Sequence, residues 1–258
     1  MKFKLSFRLI VTLASIIMAI LFGLVRIADP EVVQVLRLKY FDVLQKKYPR
    51  VTDGQTYSVI VDIDEKSLRE IGQWPWPRTV LAELFEKSKS AGMLVLGLDV
   101  LFAEKDRTSP ELISKDIKER NPEIAELLEK LPSNEFVAME AMKKFPIIIG
   151  HSGLDVEGDA KREDINESSV KVFLGKNQNH KDWLISYPGL LANVPEFEKA
   201  ASGSGTVSVA EEPDGIIRRV PLVSNVAGKV RPTLGLDMIR VAFKGNSIAT
   251  RTGMNGVE

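Results

Sequence analysis

Three aspartates and one arginine carry the chemistry that this sequence could do. Asp62 and Asp64 close the run Tyr57-Ser-Val-Ile-Val-Asp-Ile-Asp, and Asp99 closes Met93-Leu-Val-Leu-Gly-Leu-Asp. Both runs are short, apolar and rich in branched residues, so each reads as a buried strand that delivers an acid at its C-terminal end. In open α/β sheets that end is where ligands sit. The three carboxylates are therefore expected to meet Arg78 around a polar pocket that accepts either a cationic ligand or a metal. A plainer reading is that Asp62 or Asp99 pairs with Arg78, or that an acid caps a helix, because buried carboxylates need such partners. Beside Arg78 stand Trp74 and Trp76, separated by proline, a stiff aromatic element. It serves either as a lid or contact anchor or as a plug for the end of the core.

Other chemistry is thinly represented. An aspartyl-phosphate mechanism, in which a carboxylate attacks phosphorus, wants a strand followed by paired aspartates and a small turn residue. Here Glu65 and Lys66 follow instead. The alternatives kept are an outward-facing, metal-dependent phosphohydrolase using Asp62 and Asp64, and a structural dimerisation module that binds no ligand. His151 and His180 are the only histidines and have no ligand spacing around them, and Gly203-Ser-Gly205 lacks the strand–loop–helix setting of a phosphate loop. With no cysteine, thiol nucleophiles, disulfides and cysteine-bound zinc are excluded. Lysine plus arginine equals aspartate plus glutamate at 35 each, so no basic field favours nucleic acid. No metal or cofactor signature is present.

The elements that must position these residues begin with an apolar segment. Between Arg8 and Arg26 lie 17 uncharged residues, about 26 Å of helix, which approaches the thickness of a bilayer core. Arg26-Ile27-Ala28 is a poor cleavage site, so an uncleaved anchor is expected over 9–28. Lys2, Lys4 and Arg8 precede it and hold residues 1–8 in the cytoplasm, which places the bulk of the chain outside. Four of the 35 basic residues and no acid fall within residues 1–28, so the remainder carries four more acids than bases.

Beyond the anchor, Val32, Val35, Leu36, Tyr40, Val43 and Leu44 recur at helical spacing over 31–47, with a linker to residue 56. An exposed apolar stripe there favours a homodimer. A short helix over 65–71 is bounded by Asp64 as N-cap and Gly72. Pro77 opens a further helix whose face is Leu81, Leu84, Phe85 and Ser88. Residues 104–145 are helical in period, Phe145–Gly150 is a third apolar strand, and 151–182 reads as a polar surface excursion. A hairpin is expected from 205–210 and 216–224 across Glu211–Gly215, then a last helix over 232–243 and a linker over 246–258. The order implies an α/β fold: after the N-terminal transmembrane helix, an extracytoplasmic domain over 57–245 with a mixed, largely parallel sheet flanked by helices.

The stretches Val59–Arg78 (VIVDIDEKSLREIGQWPWPR) and Leu96–Glu111 (LGLDVLFAEKDRTSPE) resemble the CHASE2 family of extracytoplasmic sensor domains. Upstream, Leu38–Lys46 is similar to the family's lead-in helix. Downstream, Gly205–Val223 resembles its D-x-D-G-x-x-R-x-x-P hairpin, with Pro213 altering the spacing of the first acid. The resemblance marks Asp62, Asp64, Trp76, Pro77, Arg78, Asp99, Phe102, Asp214, Gly215 and Arg218 as characteristic positions. It implies an input module of a bacterial inner-membrane receptor, responding to an unknown small-molecule or protein signal. Its output domain would be a kinase or, as the expected case, a nucleotide cyclase. The ligand-binding residues expected are Asp62, Asp64, Trp76, Arg78 and Asp99, with Arg218 as an outlying partner for an anionic group.

Overall fold

The computed structural model describes residues 7–51, 54, 57–173, 184–209, 212–253 and 256–257. Lys2, Lys4, His180 and the hairpin positions Ala210 and Glu211 lie outside these. The chain divides into two compact units, one of residues 1–61 with 211–218 and one of 62–210 with 219–258.

Among the described residues, the first unit contains two helices. α1 (Phe7–Ala28) has 22 residues, none buried, with a mean hydropathy of 2.5 over its most apolar window. It is long and apolar enough to cross a membrane. Asp29 and Pro30 separate it from α2 (Glu31–Lys47), the helix expected from the spacing of its apolar residues. Arg37 reaches back to pair with Asp29 at 2.9 Å across that break.

The second unit opens with α3 (Glu65–Ile71), where Asp64 Oδ1 accepts from the Ser67 N–H at 2.8 Å. Gly72 closes the helix at φ 114°, a conformation that L side chains rarely adopt. α4 (Arg78–Ser90) takes Pro77 as its N-cap rather than its first residue, and it buries Leu81, Phe85 and Ser88 on the expected face. Then follow β1 (Leu96–Leu98), α5 (Pro110–Ile117), α6 (Pro122–Glu129), α7 (Asn134–Met142) and β2 (Ile147–Leu154). The chain continues with β3 (Val170–Phe173), β4 (Ser186–Tyr187), β5 (Gly189–Leu191), α8 (Pro195–Ala200) and β6 (Gly203–Thr206). It closes with β7 (Val223–Val226), β8 (Lys229–Pro232), α9 (Leu234–Ala242), β9 (Ile248–Gly253) and β10 (Gly256–Val257).

β2 is the centre of the main sheet. β1 and β6 flank it in parallel, and β5 runs antiparallel to its outer half. One face carries α4, α7 and α8 over a core of Leu81, Phe85, Phe102, Met142, Ile147, Ile149 and Phe197. The other face carries α9, and here glycine is a packing requirement. A Cβ on Gly205 would run into the backbone of Thr233 and Leu234, and one on Gly203 into Asp237. Gly203-Ser-Gly205 is therefore a strand that lets a helix approach. Two smaller three-stranded sheets have the orders β10-β9-β3 and β4-β7-β8, so residues beyond 245 contribute strands.

Three expectations are corrected. Tyr57–Asp64 is not a strand: residues 57–64 have no regular structure, and Val59 and Ile60 are 76% and 91% exposed. Branched residues favour an extended chain, but a strand exists only where a neighbour accepts its N–H groups. No hairpin joins 205–210 to 216–224. β7 instead turns onto β8 through Ala227 and Gly228, at φ 53° and 77°, the paired positive angles of a tight hairpin turn. Glu212–Gly215 does form a turn, closed by Gly215 N–H to Glu212 O at 2.8 Å. Finally, 151–182 is not wholly a surface excursion, since β2 extends to Leu154 and His151 is fully buried.

Candidate functional site

The residues singled out by the sequence do not converge on one pocket. Asp62 lies exposed on irregular chain and Asp99 lies exposed just past β1, so they are not presented by adjacent strands. Asp64 is a helix cap: its Oδ1 accepts from both the N–H and the Oγ of Ser67, and these bonds hold its carboxyl below the ordinary range. Nucleophilic attack by the Asp62–Asp64 pair finds no support in this placement, because one acid is capped and the other open to water.

Trp76 is buried, and its indole N–H donates to Gly72 O at 2.7 Å. Trp74 meets it edge-on, with ring centroids 5.3 Å apart, and packs against the main core. The aromatic element thus plugs the core.

Arg78 does not pair with Asp62 or Asp99. Two acids that the sequence reading passed over, Asp106 and Glu135, act on its charge instead. The Arg78 N–H donates to Asp106 Oδ2 at 2.8 Å, and Asn134 Nδ2 donates to the same oxygen at 2.8 Å. Glu135 accepts from the Asp106 N–H and the Ser109 hydroxyl. The guanidinium lies 4.5 Å from the centroid of the Phe102 ring and reaches Glu104 O. Burial lowers the Arg78 guanidinium from its ordinary value, against the pull of the Asp106 and Glu135 charges. The guanidinium supports the 104–109 loop through Glu104 O, and its contact with Phe102 explains why W-P-W-P-R and D-x-L-F occur together: they meet in the core.

Arg218 stands in the first unit as the hub of an ion cluster. Its Nε and Nη2 hold both oxygens of Asp42 at 2.7 Å, Nη1 and Nη2 hold those of Asp214 at 2.8 and 2.7 Å, and Nη1 also reaches Glu212 at 2.8 Å. The hydrogen bond from Arg218 draws the Asp214 carboxyl down to about 2. The same bonds, with Asp42 first, raise the arginine above its ordinary value. The expected role of Arg218 as a partner for an external anion is corrected by this geometry, since three carboxylates saturate it. Asp42 lies on α2 and the other two acids on the 211–218 segment, so the cluster clamps that segment to the helix that follows α1.

A second buried cluster was missed. His151 on β2 directs Nε2 at both oxygens of Glu198 on α8, at 3.0 and 3.1 Å. Glu198 also accepts from the N–H groups of Asn193 and Asn166, at 2.8 and 2.7 Å. Burial pushes the Glu198 carboxyl up, but the His151 contact and these N–H groups together bring it below its ordinary value. A lone histidine on an apolar strand gives no signal of this kind, and its acid lies 47 positions away. Among the described residues, no group of three or more histidine, cysteine, aspartate or glutamate side chains is placed to hold a metal ion.

The chain gives no match among curated proteins or solved structures. One family model does match, that of the CHASE2 domain, over residues 12–256. That span takes in α2, the W-P-W-P-R element and the Arg218 clamp, and the chain belongs to the CHASE2 family of extracytoplasmic sensor domains.

Proposed function

We propose that this chain is the input portion of a bacterial receptor held in the inner membrane by an uncleaved α1, with its main domain outside. A signal arriving there changes the output of a cytoplasmic nucleotide cyclase. The observation that carries this reading is the Arg218 clamp. The 211–218 segment leaves and re-enters the sensor unit in sequence, yet its arginine binds Asp42, a residue of the helix that continues from α1. A signal that moves the ends of the segment therefore acts on α2. It does so to the extent that it binds one arrangement better than the other, about 1.4 kcal/mol for a tenfold preference. Two copies joined along the exposed apolar residues of α2 would make that change readable across a dimer.

The test joins the chain in frame, through a returning span, to a nucleotide cyclase domain and measures cyclic nucleotide formation in membranes. Arg218→Gln, which removes the charge and keeps two donors, is expected to change basal output several-fold. Unchanged output at unchanged protein level would contradict the reading.

A further inference from the structure

We propose that His151, Thr206, Ser224 and Arg231 form a buried binding site for a small hydroxycarboxylate. Each is at least nine-tenths buried, at 0%, 2%, 0% and 6% exposure. Each has a polar atom with no hydrogen-bond partner among the described residues: His151 Nδ1, Thr206 Oγ1, Ser224 Oγ and Arg231 Nε. Buried polar groups are nearly always satisfied, so four such atoms along neighbouring strands point to a polar occupant.

Strand register brings them together. His151 on β2 is paired with Thr206 on β6, and Ser224 on β7 with Arg231 on β8. Paired residues share a face of a sheet. A bridge between Thr206 and Thr233 links the two pairs, and Thr233 lies two positions beyond Arg231, again on the same face. The four side chains therefore follow one another along one face, beside the C-terminal ends of the parallel strands β2 and β6, the end at which α/β sheets take ligands.

The donors define the ligand. Arg231 Nη2 is held by Glu167 at 3.0 Å, which fixes the guanidinium and leaves Nε free to donate. Ser224 is its cross-strand partner, so both donors are available to the two oxygens of a carboxylate. At the other end, His151 Nε2 faces the Glu198 carboxylate and so carries the ring proton, which leaves Nδ1 as an acceptor. A ligand hydroxyl can donate to Nδ1 while accepting from Thr206. With His151 neutral, the Glu198 charge stays at the hydroxyl end, so the ligand carboxylate lies at the other end, where Lys229 and Arg231 together outweigh Glu167.

The site rests on the sensor reading only for its meaning, because binding is measured on the solubilised full chain without reference to sidedness or output. Lactate, malate and citrate, with propionate as the analogue lacking a hydroxyl, are titrated by thermal unfolding and equilibrium dialysis. At least one hydroxycarboxylate is expected to raise the melting temperature and to bind more tightly than propionate. Ser224→Ala should weaken binding about tenfold or more, as the loss of a hydrogen bond to a charged group does. Thr206→Val, nearly isosteric, should remove the preference for the hydroxyl. Both replacements delete hydroxyls that have no protein partner, so the apo chain should stay folded. Failure of every probe to bind, or dissociation constants unchanged in both variants, would overturn the site. Binding as described with no change in cyclase output would leave the site standing and count against the sensor reading alone.

Discussion

Replacing Glu198 by alanine tests the buried architecture of the sensor unit most severely. The carboxylate accepts from His151 Nε2, Asn193 N–H, Asn193 Nδ2 and Asn166 N–H, and its side chain is fully buried. Alanine leaves His151 Nε2 and the N–H groups of Asn193 and Asn166 without this acceptor in a place water does not reach, while Asn193 Nδ2 keeps Gly150 O. Each abandoned buried donor costs about 1–3 kcal/mol, so a loss of about 4 kcal/mol is expected. That is a large part of the ~5–15 kcal/mol that holds a domain together. It corresponds to a fall of roughly 8–16 °C in melting temperature. Urea unfolding followed through the fluorescence of Trp74 and Trp76, both packed in the same unit, reads the change directly. The pH dependence has a definite sign. The folded carboxyl lies below its ordinary value of 4.5, so its contribution is present above about pH 4.5 and is lost as pH falls through the lower folded value. In Glu198→Gln that part of the acid sensitivity should vanish. A destabilisation of Glu198→Ala below about 1 kcal/mol would refute the reasoning, since it would mean that the donors find other acceptors or water.

Further outcomes follow from the same packing. Gly205→Ala should destabilise the chain strongly, because its Cβ meets backbone of Thr233 and Leu234, whereas Gly97→Ala meets only the flexible thioether of Met238 and should be tolerated; thermal unfolding of the pair separates the two cases. Trp76→Phe keeps the ring contact with Trp74 but loses the bond to Gly72 O, at a cost of about 1 kcal/mol in urea unfolding. In the clamp, Asp214 titrates at about 2, so amide exchange in Gly215–Arg218 should be constant in protection from neutral pH down to about 4. Protection should fall only as pH approaches 2, and Arg218→Gln should abolish it throughout.

Helices α2, α3, α4 and α9 and the strands β1 and β2 were legible because each rests on local chemistry, whereas β6 lies where a hairpin strand was expected. Asp64 and Gly72 punctuate α3, and Leu81, Phe85 and Ser88 repeat at the helical period. What was not legible depends on partners distant in sequence. Arg78 chooses Asp106 and Glu135, 28 and 57 positions away, and nothing local distinguishes them from other acids in a charged stretch. Val59–Val61 has the composition of a buried strand, yet it lacks a ladder, which composition does not encode. Arg218 lies within six positions of two acids and meets a third on α2, which makes it a clamp, and among the described residues idle arginine donors remain on Arg78 and Arg231.

The central claim, a sensor domain outside a membrane that α1 anchors, is tested most directly by sidedness. Because the chain has no cysteine, single cysteines at the exposed positions Lys199 and Phe243 can be labelled in intact cells with a maleimide that does not cross the inner membrane. The account predicts labelling at both positions without lysis, on a membrane-bound chain that still carries its N-terminal residues. Labelling only after the inner membrane is broken would contradict it.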